Sequence, residues 1–418
     1  MSFVNRIVTV VARRELARVM SFDQRGNLEI PAGDASPRML YLHVPFCERL
    51  CPYCSFHRVP FQDQLAHDYF AALRKEMTLY CDRGHNFTGL YVGGGTPTVL
   101  VDELEETLNH ARQSFRITEV SVETNPDHLT EKVLAALKRA GVSRLSVGIQ
   151  SFDDGLLKAM GRYEKYGSGA AIAERLKAAL GRFDTLNADM MFNFPSQTAA
   201  MLDRDIDILM NTGLDQFTYY PLMVSDNTRH VVERALGRLD PRRERQFYRQ
   251  IVRRLVPTYA FSSAWCFSRK TVRAAIDEYI VTHDEYAGLG SGAIGYLNGR
   301  CYANTFDIPT YIARVSRGES PVQAARQFSL RERVRYDFLT GLFATRLDPS
   351  ALRRKYGAKL AWYLGSDLLA FWLAGALRCD EAGLRLTQRG LYTWVIMMRE
   401  FFTAVNNFRD QCRRGPAA

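Results

Sequence analysis

Between Met39 and Pro221, short apolar and β-branched runs alternate with longer segments whose apolar residues recur at helical spacing. The strand-like runs fall at 40–44, 89–92, 119–123, 144–149, 186–192 and 216–221, and the helical patterns at 65–80, 102–114, 130–140, 153–182 and 199–212. Strands separated by helices predict βαβ units and a parallel sheet, an α/β fold with its chemistry at the C-terminal strand ends. Ahead of this region, residues 1–37 read as an N-terminal arm: Arg6, Arg13, Arg14 and Arg18 stand among valines that do not fall on one face. From about 320 the pattern turns mainly helical, and Leu384-Arg385-Leu386-Thr387-Gln388-Arg389-Gly390-Leu391 reads as part of a small winged-helix-like cap. The aromatic helix at 394–408 reads as core rather than as a cofactor box. The expected division is therefore an arm (1–37), a catalytic domain (38–319) and a helical cap (320–418).

A chain of 418 residues exceeds one small core, which supports a large domain plus a smaller one. No apolar run reaches the roughly 18 residues that span a bilayer. The start, Met1-Ser2-Phe3-Val4-Asn5-Arg6, lacks the order of a signal peptide, so a reducing cytoplasm without structural disulfides is expected. The net charge of +10 points to anionic partners: a polycarboxylate, a phosphorylated cofactor, or peripheral contact with the acidic inner face of a membrane. Nucleic acid is not expected. No motif for it is visible, and the arginines at 242–254 and 331–335 lie on helical segments where a solvated face is the usual explanation.

Chemistry concentrates in Tyr41-Leu42-His43-Val44-Pro45-Phe46-Cys47-Glu48-Arg49-Leu50-Cys51-Pro52-Tyr53-Cys54-Ser55-Phe56-His57. Three of the eight cysteines stand here as C-x3-C-x2-C, directly after the first strand. Converging thiolates favour zinc or an iron–sulfur cluster. With His57 as fourth ligand the site is closed structural zinc; with a small molecule in that place it is a [4Fe–4S] cluster with one open iron. Spacing alone leaves both open. Cys81, Cys266, Cys301, Cys379 and Cys412 are scattered, as packing or surface cysteines are. Gly93-Gly94-Gly95-Thr96-Pro97-Thr98 after the second strand allows close backbone approach.

The cysteine spacing with Tyr53 just before Cys54 resembles the signature of radical S-adenosylmethionine (SAM) enzymes. The fuller string YLHVPFCERLCPYCSF resembles the oxygen-independent coproporphyrinogen III oxidase subfamily, and the likeness continues in order along the chain. This resemblance implies a partial (β/α)6 TIM-like barrel and a [4Fe–4S] cluster on Cys47, Cys51 and Cys54. SAM would bind at the open iron, with a one-electron donor such as flavodoxin or ferredoxin. It implies that Gly93, Gly94, Gly95 and Thr96 meet the aminocarboxypropyl end of SAM. Tyr41, Tyr53, Glu123, Gln150, Arg162, Asp189, Pro221 and Ile294 are the other implied cofactor contacts, with Arg162 a bidentate donor for the SAM carboxylate. Tyr41, His43 and His57 become candidates for proton handling or SAM ordering.

Three departures from the family pattern carry information. Phe56 stands where the oxidases proper have a fourth cysteine; Asn193-Phe194-Pro195 alters a G-x-P turn; and His283-Asp284-Glu285-Tyr286-Ala287 fails the heme motif H-N-x-x-Y-W of the heme-chaperone relatives. Relatives lacking both features include the class C methyltransferases, which bind two SAM molecules. The expectation is therefore methylation of an sp2 carbon of an aromatic substrate such as menaquinone C8. The alternatives are an anaerobic coproporphyrinogen oxidase or a heme-handling or heme-opening relative acting on a tetrapyrrole, and a zinc-stabilised binding protein without catalysis.

Overall fold

The computed structural model describes residues 3–22, 28–34, 36–226, 228–271, 283–381 and 383–413. The chain opens with helix α1 (Phe3–Val19), and the sheet then begins with β1 (Pro37–Val44). Five further strands follow: β2 (Asn86–Gly94), β3 (Glu119–Thr124), β4 (Arg144–Gln150), β5 (Thr185–Phe192) and β6 (Gln216–Pro221). The six lie side by side in chain order and pair in parallel. Leu40, Leu42 and Val44 are fully buried, as are Val120 and Val122, the near-continuous apolar signature of a sheet covered on both faces.

Helices α2 (Asp63–Asp82), α3 (Val101–Ser114), α4 (Glu131–Arg139) and α5 (Ala199–Thr212) supply crossovers where the periodicity predicts them. The pattern at 153–182 is not one helix. It breaks into Asp154–Ala159, Tyr163–Tyr166 and Gly169–Ala178, because Gly161 and Gly167 adopt φ of 67° and 83°. Arg162 sits in that break.

The sheet extends on both sides. Past β6 and the helix α6 (Pro241–Leu255) come β7 (Tyr259–Phe261) and β8 (Cys266–Arg269), the latter antiparallel to β6. On the other side β9 (Tyr286–Leu289) pairs in parallel with β1. Antiparallel β10 (Ile294–Leu297), β11 (Arg300–Asn304) and β12 (Val322–Gln327) follow, giving twelve strands. Strand β1 is thus paired with β9 and β2, not with β6, so the barrel is partial. The sheet also runs past the boundary expected at 319/320, because β12 completes the pairing of β11.

Beyond β12 come a helix at Leu330–Phe343, α7 (Lys359–Leu373), a three-stranded sheet and the long α8 (Gln388–Arg413). Trp394 of α8 is fully buried and donates its indole N–H to the Leu339 carbonyl at 3.0 Å, a core role as expected. The arm is a helix lying along α8, tied by Arg13 to the buried carboxylate of Glu400 at 2.8 Å. No helix among the described residues is long and apolar enough to cross a membrane.

Two non-glycine residues at adjacent strand ends take left-handed backbone: Gln150 (φ 76°) ending β4 and Asn193 (φ 70°) just after β5. Asparagine tolerates this region better than other side chains. The altered Asn193-Phe194-Pro195 turn therefore keeps the geometry that a glycine would allow. Asn193→Gly should be nearly neutral to chemical denaturation, whereas Asn193→Val should lower stability by about 1–3 kcal/mol; equal effects would show that φ does not govern this turn.

Candidate active site

Within the cysteine loop only Cys51 O accepts from a loop N–H, that of Cys54 at 3.3 Å, and arginines supply further donors to its carbonyls. Arg58 Nη2 donates to the carbonyls of Cys51 (2.5 Å) and Cys54 (2.8 Å). From α8, Arg409 donates to Ser55 O (3.3 Å) and stacks over the Phe56 ring, and Arg413 donates to Phe56 O (3.0 Å). The base of the loop is stitched to the glycine turn: Gly95 N–H donates to Val44 O and Thr96 N–H to Phe46 O, both at 2.7 Å.

The sulfurs receive donors of their own. Thr96 Oγ1 donates to Cys47 Sγ (3.7 Å) and Arg162 Nη1 to Cys51 Sγ (3.5 Å). Burial pushes the Cys47 thiol up to about 11, so a bound metal must displace its proton. The three sulfurs do not all lie within 4.8 Å of one another, nor do any two of them with His57. A cubane accepts wider spacing.

His57 is also committed elsewhere. Its Nε2 donates to Ser291 Oγ (3.2 Å), whose hydroxyl is spent on Thr305 O, and its Nδ1 accepts from Arg413 at 3.3 Å. Burial, then the neighbouring His43, holds it neutral, well below its ordinary range. His43 is fixed the same way. Its Nε2 donates to the His57 carbonyl and its Nδ1 accepts from the Tyr41 hydroxyl, each at 2.8 Å. Burial pushes His43 down to about 3. Tyr41, His43 and His57 thus form a neutral relay that props the loop against β1.

The glycines of the turn answer to protein neighbours. A Cβ on Gly93 would sit 2.7 Å from Glu123 Oε1, and one on Gly94 (φ 119°) 2.6 Å from the His43 ring. Glu123 accepts from Tyr91 Oη (2.8 Å) and Gly94 N–H (3.1 Å), and burial together with Asp189 pushes it up to about 7. Asp189 in turn accepts from Ser146 (2.7 Å) and Asn187 (2.8 Å).

Arg162 is buried in the helix break under the loop. One terminal nitrogen faces Cys51 Sγ and the Tyr53 hydroxyl, and the other donates to Gly148 O (2.5 Å) and Asn125 Oδ1 (3.3 Å). The free fork expected for a carboxylate is therefore occupied, and its Nε alone is left without a partner. Burial opposes its charge, yet Tyr53, Tyr166 and Cys51 raise its pKa further. Tyr53 packs edge-on against Phe194 at 6.0 Å. Pro221 ends β6 and Ile294 begins β10.

Sequence reasoning missed Arg58, Arg409, Arg413 and Glu76. Buried Glu76 accepts from Gly290 N–H (2.8 Å), Asn304 (2.9 Å) and Tyr311 (2.6 Å), fixing the glycine-rich 288–292 segment behind His43. Arg58 adjoins the motif and was findable as a cation beside three thiolates. Arg409 and Arg413 act across more than 350 positions with no local signal.

His57→Ala should retain iron after anaerobic reconstitution, while Cys51→Ala should lose most of it; loss of iron in the histidine variant alone would restore the zinc-type ligand set. Glu123 is raised from an ordinary 4.5 to about 7, so the folded state holds a proton that the unfolded chain releases. Its contribution is present below 4.5 and lost as pH rises through about 7. Urea titrations of Glu123→Gln should show a flatter decline between those limits, by on the order of 1–3 kcal/mol; an unchanged slope would rule this out.

The description "Radical SAM superfamily" matches residues 41–234. A heme chaperone HemW from Bacillus subtilis is 28% identical over 365 residues, covering 84% of this chain and 95% of the relative. An oxygen-independent coproporphyrinogen III oxidase from Bradyrhizobium diazoefficiens is 30% identical, covering 74% and 73%. An anaerobilin synthase from Escherichia coli O157:H7 is 27% identical, covering 86% and 82%. The solved coproporphyrinogen III oxidase of Escherichia coli superposes with a TM-score of 0.72 at 21% identity over 93% of each chain, which supports the fold. The chain belongs to the radical SAM superfamily, whose members use a [4Fe–4S] cluster and SAM, and within it to the family of the coproporphyrinogen oxidases and heme chaperones.

Proposed function

We propose that this chain is a radical SAM enzyme whose substrate is a carboxylate-bearing tetrapyrrole, heme or a porphyrinogen. This replaces the expected menaquinone methylation, because the relatives named above concern heme, coproporphyrinogen and anaerobilin. One observation carries the reading: these likenesses cover 74–86% of the chain, well beyond the 41–234 core that radical SAM enzymes share. They therefore take in sequence outside that core, where substrates are distinguished.

Cys47, Cys51 and Cys54 would hold the cluster, and the cofactors supply a 5′-deoxyadenosyl radical when bound. The chain's own residues position and shield. Thr96 and Arg162 donate to the sulfurs, which stabilises the thiolate state that ligation requires. Glu123 and Asp189 place acidic oxygens beside the glycine turn, where an ammonium group would be favoured. The neutral Tyr41–His43–His57 relay orders the loop. Arg58, Arg409 and Arg413 make the loop's surroundings cationic, which suits propionate groups. Phe56, in place of a fourth cysteine, argues for a modification other than the oxidases' decarboxylation.

With reductant and SAM under anaerobic conditions, heme or coproporphyrinogen III should be consumed in step with 5′-deoxyadenosine release, and menaquinone should not. Methylated quinone with untouched tetrapyrroles would overturn the proposal.

A further inference from the structure

Helix α7 presents an unusual outer face. Leu364 is its only fully buried residue, Phe371 packs on Trp394 at 4.9 Å, and Asp367 pairs with Arg335 at 2.9 Å, so one side is anchored to the cap. The other side exposes Trp362 (86%), Leu369, Trp372 (65%) and Leu373, a ridge of large apolar side chains at i, i+7, i+10 and i+11. Isolated exposed apolar residues need no explanation, but two tryptophans and two leucines in one row do.

The ridge ends at an arginine-rich groove. Ala374, one residue beyond α7, forms part of the wall of a cleft of about 940 Å³ that also receives Arg245, Arg249 and Arg253 from α6 and Arg389 from α8. With Arg242 these α6 arginines form a stripe at helical spacing, and among the described residues none of them makes an ion pair. On the near side of α7, Arg353, Arg354 and Lys359 are exposed. A solvated face accounts for a charge stripe alone. It does not account for the apolar ridge beside it.

We infer that this ridge and the adjoining arginines dock the protein on an anionic lipid surface, the tryptophans and leucines entering the headgroup boundary while the guanidinium groups meet phosphates. A second copy of the chain is disfavoured as occupant, because a two-fold contact would set the same unpaired arginines against one another. The inference is independent of the tetrapyrrole reading, and its test does not use activity.

The four tryptophans provide the readout: Trp265 and Trp394 are fully buried, so a change in emission on binding reports Trp362 and Trp372. The full-length reconstituted protein should co-sediment with phosphatidylglycerol vesicles, with blue-shifted emission, and far less with phosphatidylcholine or at high salt. Arg245→Gln/Arg249→Gln/Arg253→Gln should weaken the partition by about a hundredfold, and Trp362→Ala/Trp372→Ala should abolish the emission shift and most of the binding. Both variants alter exposed or groove-lining side chains, and circular dichroism checks that they fold. Any of these results would overturn the inference: no preference for anionic vesicles, retention without an emission shift (binding by arginines alone, as to an acidic protein), or a dimer in light scattering that the tryptophan variant dissociates.

Discussion

The structure depends on how a loop built to offer three sulfurs disposes of its carbonyl oxygens. Regular secondary structure would pair them, but it would also turn the thiolates away from a common centre. Arginine resolves the conflict, because one guanidinium can span two carbonyls and carries a charge opposite to that of the thiolates. Arg58 does this beside the cysteines, and Arg409 and Arg413 each donate to one further carbonyl from α8. Removing one would take a donor from half-buried or exposed carbonyls of the cysteine loop and a positive charge from beside its sulfurs.

From that constraint the long-range organisation follows. Helix α8 must lie against the loop to deliver its two arginines, and α1 lies along α8 with Arg13 on Glu400. The N-terminal helix thus packs on the helix that reaches the cysteine site, although the sheet between them holds most of the core. The neutral histidine pair belongs to the same scheme: burial disfavours charge on His43 and His57, and with Arg409 and Arg413 close by a proton on either would add like charge. Their low basicity and their fixed hydrogen bonds agree.

Much of this was legible in the residues. All six parallel strands fall where apolar runs predict them, because a strand covered on both faces has little freedom in composition. The cysteine loop, the glycine turn and Glu123 could be placed from spacing and strand position. The break around Arg162 could not, since helical periodicity at 153–182 persists across Gly161 and Gly167 and only their positive φ ends the helices. Nor could the role of Arg162 itself: its bonds to Cys51, Tyr53, Asn125 and Gly148 join residues far apart in sequence. The arm was opaque for a related reason. Its face is defined by α8, 387 positions away at the Arg13–Glu400 pair, rather than by its own pattern.

The central claim is that three sulfurs, braced by arginine, hold a cluster with one iron open to SAM. Electron paramagnetic resonance of the reduced, reconstituted protein tests this directly, with SAM labelled at its amino nitrogen and carboxylate oxygens. The account predicts a cubane signal whose g-values shift on adding SAM, with hyperfine coupling to both labels. A signal indifferent to SAM, or coupling to a protein nitrogen in its place, would contradict it.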